Sequence, residues 1–349
     1  MKILTVVGAR PQFIKAAAVS APLRRLAHEV IVHTGQHYDR AMSDQFFEEL
    51  DLPAPDHHLG VGSGPHGGQT GRMLAGIESV MLSERPDRVL VYGDTNSTLA
   101  GALAAAKLDV PIVHVEAGLR SFNRSMPEEI NRVVADHLSA VLCCPGPRAV
   151  ANLEAEGITR GVHVTGDVMR DLLERALPSL DDGMLARLGL TPRGYSILTL
   201  HRANNTDDAV RLSRIVGALA DASEPIVFPV HPRTAHALAA LGAGATGSIR
   251  MVEPVGYREM LALQRHARLV ITDSGGVQKE AYWLGVPCVT VRDETEWTET
   301  VDAGWNRLVG SDPASIRDAL ADRPLPADRP DLYGDGRAAD RIAALVACA

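Results

Sequence analysis

The chain has 349 residues, 46% of them hydrophobic and 4% aromatic, and a formal net charge of −8. That length predicts two domains, each with its own core. The acidic balance, the lack of a basic run and the scarcity of aromatic rings argue against nucleic acid or an anionic membrane as partner.

The first residues, Met1-Lys-Ile-Leu-Thr-Val-Val-Gly8, read as a strand with no signal-peptide pattern. No apolar run approaches the ~20 residues that span a bilayer. Cys143, Cys144, Cys288 and Cys348 form no CxxC pair, so reduced thiols in a cytoplasmic protein are expected.

Through the first half, short Val/Ile/Leu runs alternate with helix-length segments. Strands are predicted at 2–7, 30–34, 88–91, 111–115, 140–143 and 162–164, with helices near 11–26, 69–82, 97–108, 127–137 and 148–156. Such alternation implies a doubly wound parallel sheet. The rhythm lapses across 166–193, which reads as a linker of helices and turns. It resumes with strands at 196–200, 225–229, 249–252, 269–272, 287–291 and 306–309. The expected fold class is therefore α/β, with two Rossmann-like domains facing across a cleft, residues 1–167 and 168–334.

The first strand-to-helix turn is Val7-Gly8-Ala9-Arg10-Pro11-Gln-Phe-Ile-Lys15. It is not GxGxxG, which argues against a dinucleotide. Pro11 suits the first helical position. Arg10 and Lys15 carry cations to the carboxyl end of a strand, where open α/β sheets bind ligands, so both are expected to meet phosphate. In His33-Thr-Gly-Gln-His-Tyr-Asp39 the histidine spacing would suit zinc only on a helix, and Gly35 after a strand predicts a loop. With no HExxH or DxD, no metal is expected. The segment 60–68, with five glycines, reads as a loop, either one that closes over a substrate or plain surface.

Three carboxylates carry the sharpest chemical signal. Asp94 in Val91-Tyr-Gly-Asp-Thr-Asn-Ser97 and Glu116 in His114-Val-Glu-Ala-Gly-Leu-Arg120 each lie just past a strand. Glu128 in Met126-Pro-Glu-Glu-Ile-Asn-Arg132 opens a helix, whose N-terminus favours its ionised form and suits a base. Any one alone reads as a cap or salt-bridge partner. Together they point to moving a carbon-bound proton, mutual repulsion being expected to keep one protonated while another stays a base.

In the second half, His201 and Arg202 of Leu198-Thr-Leu-His-Arg-Ala-Asn-Asn-Thr206 follow a strand and could meet a diphosphate, ahead of a helix capped near Thr206. The stretch Ile271-Thr-Asp-Ser-Gly-Gly-Val-Gln-Lys-Glu280 runs from a buried strand into a helix. Asp273 and Ser274 offer N-cap chemistry, and Gly275 and Gly276 let backbone N–H groups approach an anion. Glu280, one turn in, could accept hydrogen bonds from a ribose diol. The set reads as a nucleoside-diphosphate cradle.

Gly8-Ala-Arg-Pro with Lys15, His33-Thr-Gly-Gln-His, Tyr92-Gly-Asp-Thr, His114-Val-Glu-Ala-Gly-Leu-Arg-Ser, Pro127-Glu-Glu-Ile-Asn-Arg, Thr199-Leu-His-Arg and Thr272-Asp-Ser-Gly-Gly-Val-Gln-Lys-Glu resemble the non-hydrolysing UDP-N-acetylglucosamine 2-epimerases, in the same order, over about residues 1–310. The resemblance implies a glycosyltransferase-B fold with UDP in the interdomain cleft. It implies a final helix, about 335–349, packing back on the first domain, a homodimer, and no cofactor. Asp94, Glu116 and Glu128 match the family's catalytic carboxylates and His201 its catalytic histidine. Arg10, Lys15, Ser274, Gly275, Gly276 and Glu280 match UDP-binding positions. Asn204 stands where members commonly have Glu. Gln36-His-Tyr-Asp39 replaces the Gln-His-Arg-Glu of members regulated by a second UDP-sugar, so that allostery is not expected. The implied reaction is anti elimination of UDP to a 2-acetamidoglucal and re-addition of UDP with the proton on the opposite face of C2. A hydrolysing 2-epimerase, a 2-epimerase of a modified UDP-2-acetamido sugar and a glycosyltransferase of the same fold are the alternatives.

Overall fold

The computed structural model describes residues 1–36, 52–242, 247–321 and 324–348. These form two compact units, 1–174 with 333–349 and 175–332.

In the first unit the strands are β1 (Lys2–Val7), β2 (His28–His33), β3 (His57–His58), β4 (Arg88–Tyr92), β5 (Ile112–Val115), β6 (Val141–Cys144) and β7 (Val162–Val164). They form one sheet in the order β3-β2-β1-β4-β5-β6-β7, every neighbouring pair parallel. Helices cover both faces, so the central strands are continuous apolar runs rather than alternating ones. Leu4, Val6, Val89 and Val91 pack with Met73 and Ile77 of the helix His66–Glu84 and Ala104 of the helix Asn96–Lys107. Burying each such aliphatic side chain contributes ~1.5–3 kcal/mol. The final helix, Ala338–Cys348, belongs to this unit. Its first N–H groups, on Ala338 and Ala339, donate to the Asp171 carboxylate at 3.0 and 2.7 Å.

The second unit carries β8 (Ser196–Thr199), β9 (Ile226–Pro229), β10 (Ile249–Val252), β11 (Leu269–Thr272), β12 (Cys288–Thr290) and β13 (Asn306–Leu308). Their order is β10-β9-β8-β11-β12-β13, again all parallel. Leu198, Ile215, Leu219, Phe228 and Ile271 lie at the centre of its core.

In each sheet the strand order reverses once, between β1 and β4 and between β8 and β11. The loops leaving neighbouring strands diverge there and open a crevice at the strands' carboxyl ends, the place where such sheets bind ligands. Arg10 and Asp94 follow β1 and β4; His201 and Ser274 follow β8 and β11.

The structure differs from the sequence reading in three local ways. Strand β3 was not expected, because two residues, His57 and His58, carry no periodicity. The helix after it begins at His66, absorbing Gly67 and Gly68 of the expected glycine loop. The helix expected to be capped near Thr206 starts at Ala209, with the Asp208 carboxylate accepting from the N–H groups of Val210 and Arg211 at 3.0 Å. Among the described residues, no helix is long and apolar enough to cross a membrane.

Candidate active site

In the first unit, the turn after β1 is built around Gln12 in the helix Arg10–Arg24. Its side-chain oxygen accepts from the Gly8 and Ala9 N–H groups at 2.8 and 3.2 Å, and its amide donates to the Tyr92 carbonyl at 3.0 Å. One side chain thus ties the β1 turn to the β4 turn. Gly8 is required by crowding: a Cβ there would overlap Thr34 Oγ1 and Ser97 Oγ, which hydrogen-bond each other at 2.8 Å. Arg10 is exposed at the start of the helix. Lys15, expected at a phosphate, is buried and forms an ion pair with Glu116.

Glu116 has φ +68, the left-handed region, which costs an L-residue roughly 1–2 kcal/mol. Its N–H donates to the Cys143 carbonyl at 3.1 Å, and its carboxylate is held by Lys15. Gly93, at φ +60, lies directly against that pair: a Cβ on it would be 2.9 Å from Lys15 Nζ and 3.3 Å from Glu116 Oε2. Asp94 is the next residue. Arg132 grips Asp94 Oδ2 through Nε at 2.9 Å and Nη2 at 2.7 Å, while Asn131 Nδ2 donates to the Asp94 carbonyl at 2.9 Å. Asp94 and Glu116 therefore sit on adjacent strand ends, each with a cation. The repulsion expected among the carboxylates is offset at these two by Arg132 and Lys15, which lie far away in sequence.

The helix Pro127–Leu138 supplies Arg132 and also separates two neighbouring glutamates by role. Glu129 is buried and accepts from Ser121 N and Oγ at 2.9 and 3.0 Å and from Phe122 N at 3.0 Å. It is a structural clamp for that loop. Glu128 stays partly exposed in the first turn.

In the second unit, Asp273 does not cap the following helix. It is fully buried at the end of β11 and accepts from the N–H groups of His201 and Arg202 at 3.1 and 3.0 Å and from Asn205 Nδ2 at 3.1 Å. His201 Nδ1 lies 3.1 Å from its Oδ1. Burial alone would raise the Asp273 pKa. The bond and charge of His201, with the Arg202 N–H and the Asn205 amide, outweigh it and hold the carboxyl below its ordinary range. His201 is 47% exposed. One ring nitrogen is oriented by a carboxylate and the body of the ring faces solvent, which suits a working histidine better than a core one. Asn204 is exposed; its neighbour Asn205 is the buried one, also bonding the Val291 carbonyl at 3.1 Å. Arg202 is partly buried beside them.

Ser274 is the N-cap of the helix Gly275–Leu284, and its side chain makes no capping bond. Its own N–H donates to Thr272 Oγ1 at 2.9 Å. The helix thus opens with first-turn N–H groups that its cap side chain does not occupy, flanked by the partly exposed Gly275 and Gly276. This is anion-binding geometry. Glu280 is buried in the same helix and accepts from Gln264 Nε2 at 2.8 Å. A Cβ on Gly275 would be 2.8 Å from Trp297 Nε1. That indole is packed in turn against buried Lys279, whose Nζ is 3.6 Å from the ring centroid, a cation–π contact.

Gln12, Arg132, Asp273 in its clamping role, Asn205 and Trp297 were not singled out from the sequence. Gln12 alone left a local signal, as an amide at the third helical position able to turn back on the preceding N–H groups. His33 is buried and stacked between Phe13 and His58, at 5.0 and 4.5 Å. His37, Tyr38 and Asp39 lie outside the described residues. Among the described residues, no group of three or more His, Cys, Asp or Glu is placed to hold a metal.

A family model described as UDP-N-acetylglucosamine 2-epimerase matches residues 23–347. The chain is 50% identical to the UDP-2,3-diacetamido-2,3-dideoxy-D-glucuronate 2-epimerase of Pseudomonas aeruginosa, over 99% of each chain. It is 44% identical to the UDP-N-acetylglucosamine 2-epimerase of Methanococcus maripaludis, over 99% of this chain and 98% of that one. Among solved structures it matches Methanocaldococcus jannaschii UDP-GlcNAc 2-epimerase in complex with UDP-GlcNAc and UDP. There the TM-score is 0.92, with 42% identity over 99% of both chains.

Proposed function

Because this chain belongs to the UDP-N-acetylglucosamine 2-epimerase family, whose α/β fold of glycosyltransferase-B type it shares, we propose that it interconverts UDP-N-acetylglucosamine and UDP-N-acetylmannosamine. The observation that carries this reading is the placement of Asp94 and Glu116 at adjacent strand ends, each held by a cation, with Glu128 on the helix that grips Asp94. A transferase has no need of three acids to handle one carbon-bound proton.

In the proposed reaction the C2–H and C1–O bonds break and a C1=C2 double bond forms. UDP departs with the C1–O electron pair, and a carboxylate of the trio takes the C2 proton. Re-addition delivers a proton to the other face of C2 as UDP re-forms the C1–O bond. The open N-terminus of the Gly275–Leu284 helix stabilises the diphosphate as its charge grows on leaving. Ser274, Gly275, Gly276, Arg10 and Arg202 are assigned to UDP with it, Glu280 to the ribose, and His201, oriented by Asp273, to the departing phosphate oxygen. Lys15, expected from the sequence to meet phosphate, balances the charge of Glu116.

Arg10→Ala and Ser274→Ala are each expected to weaken UDP binding by ~1.5–3 kcal/mol, the serine at the low end. Titration calorimetry reads this directly, and unchanged affinity in both variants would remove the pair from the site.

A second reading, with the diacetamido-glucuronate as substrate, rests on the 50% identity to that sugar's 2-epimerase. Separate incubations with each UDP-sugar, followed by NMR, distinguish the two. Formation of the C2 epimer from UDP-N-acetylglucosamine supports the first, turnover of the diacetamido-glucuronate alone supports the second, and steady release of the free sugar with UDP supports a hydrolysing enzyme.

A further inference from the structure

His114 lies in β5, two residues before Glu116, and is fully buried. Its Nε2 is 2.7 Å from the Gly93 carbonyl and its Nδ1 is 2.7 Å from Asp136 Oδ1. A carbonyl oxygen only accepts, so Nε2 carries a proton. The Asp136 carboxylate accepts also from the Gly118 N–H at 3.1 Å and from Arg120 Nη1 at 2.7 Å. The ring thus bridges a buried carboxylate and a backbone carbonyl. Burial alone would raise the Asp136 pKa, but His114 and Arg120 outweigh it and hold the carboxyl below its ordinary range, consistent with an acceptor-only partner.

The carbonyl that His114 holds belongs to the peptide joining Gly93 to Asp94. The next carbonyl, that of Asp94, accepts from Asn131, and the Asp94 carboxylate accepts from Arg132. Asn131, Arg132 and Asp136 all lie on the helix Pro127–Leu138, whose first turn presents Glu128. That one helix therefore fixes the Gly93–Asp94 turn at three points, and one of them runs through His114.

We propose that His114, a fully buried ring bridging Asp136 to the Gly93 carbonyl, is a positioning residue for the epimerisation. It sets Asp94 against Glu128 without touching substrate. This rests on the assignment of Asp94 and Glu128 to the reaction. A buried pair that served stability alone would have no need to end on the one carbonyl preceding Asp94.

The test is a pair of variants. The side-chain nitrogen of Asn reaches roughly the Nδ1 position and that of Gln the Nε2 position, so His114→Asn keeps the Asp136 bond and His114→Gln keeps the Gly93 bond. Each leaves one buried group unpaired, so similar falls in denaturation midpoint are expected. His114→Asn is expected to lose about 100-fold in kcat, the scale of a small misplacement of a reacting group, with KM and UDP affinity little changed. His114→Gln is expected to stay within about tenfold of the parent. Nitrogen-15 NMR of the parent protein should find a proton on His114 Nε2, bonded to the Gly93 carbonyl. Equal kcat losses in the two variants, or a ring whose Nε2 carries no proton, would overturn the positioning role. If neither variant folds, the NMR of the parent decides. Failure of the parent itself to turn over any UDP-sugar would strike the proposed function instead.

Discussion

Asp94→Asn, Glu116→Gln and Glu128→Gln are each expected to lower turnover by about 10²–10⁴-fold, the range for a lost general acid or base, while UDP still binds. The substitutions are nearly isosteric, and the surroundings set what each one disturbs. Asn at 94 still offers Arg132 an oxygen, so the Arg132 bridge between Asp94 and Glu129 is weakened rather than removed. Gln at 116 leaves buried Lys15 without its counter-charge, and this variant should lose some stability as well as rate. Glu128 is partly exposed at a helix N-terminus, so its variant should lose rate with the smallest change in stability. Steady-state rates, UDP calorimetry and denaturation midpoints measured together separate these effects. A variant of any of the three with parental turnover would take that residue out of the chemistry.

Asp273→Ala is expected to destabilise the second unit by ~1–3 kcal/mol for each buried donor left without its acceptor. The His201 and Arg202 N–H groups and the Asn205 amide all lose their acceptor. His201 also loses the carboxylate that orients Nδ1, so turnover should fall even where the fold persists. The same carboxyl gives an acid-side signature. Its folded pKa is held below the ordinary value of 3.8, so between the two values the unfolded chain binds more protons than the folded one. Its contribution to stability is therefore fully present above about pH 3.8 and is lost as pH falls through the lower folded value. Asp136 acts in the same direction. Denaturation midpoints followed from pH 6 to pH 2 should fall less steeply for Asp273→Ala than for the parent. A parallel fall in both would mean that Asp273 is not held in its charged form by the loop.

The two sheets were readable from the sequence because buried parallel strands are unbroken apolar runs. Ile3-Leu4, Val89-Leu90-Val91 and Val270-Ile271 need no partner to be recognised. The residues that follow those strands were readable for the same reason: in a parallel sheet, polar side chains just past the carboxyl ends are already gathered on one edge. Asp94, Glu116, His201 and Ser274 stand out on that ground. What could not be read is who holds them. Lys15 and Glu116 are 101 positions apart, Arg132 and Asp94 38 apart, and Asp273 and His201 72 apart. No spacing rule joins such pairs; they meet only because strand order brings their turns together. Asp273 also shows how a local rule misleads. An Asp beside a Ser before a helix reads as a cap, yet burial at the end of β11 turns it toward the β8 loop.

The central claim, that the chain moves the C2 proton of a UDP-sugar through a solvent-exchanging carboxyl while UDP leaves and returns, is tested most directly in deuterated water. UDP-N-acetylglucosamine incubated there with the enzyme, and followed by proton NMR, should give the C2 epimer with deuterium at C2. The ratio of the two UDP-sugars should settle without steady loss of nucleotide sugar. Epimer that retains its C2 hydrogen in full would contradict the account.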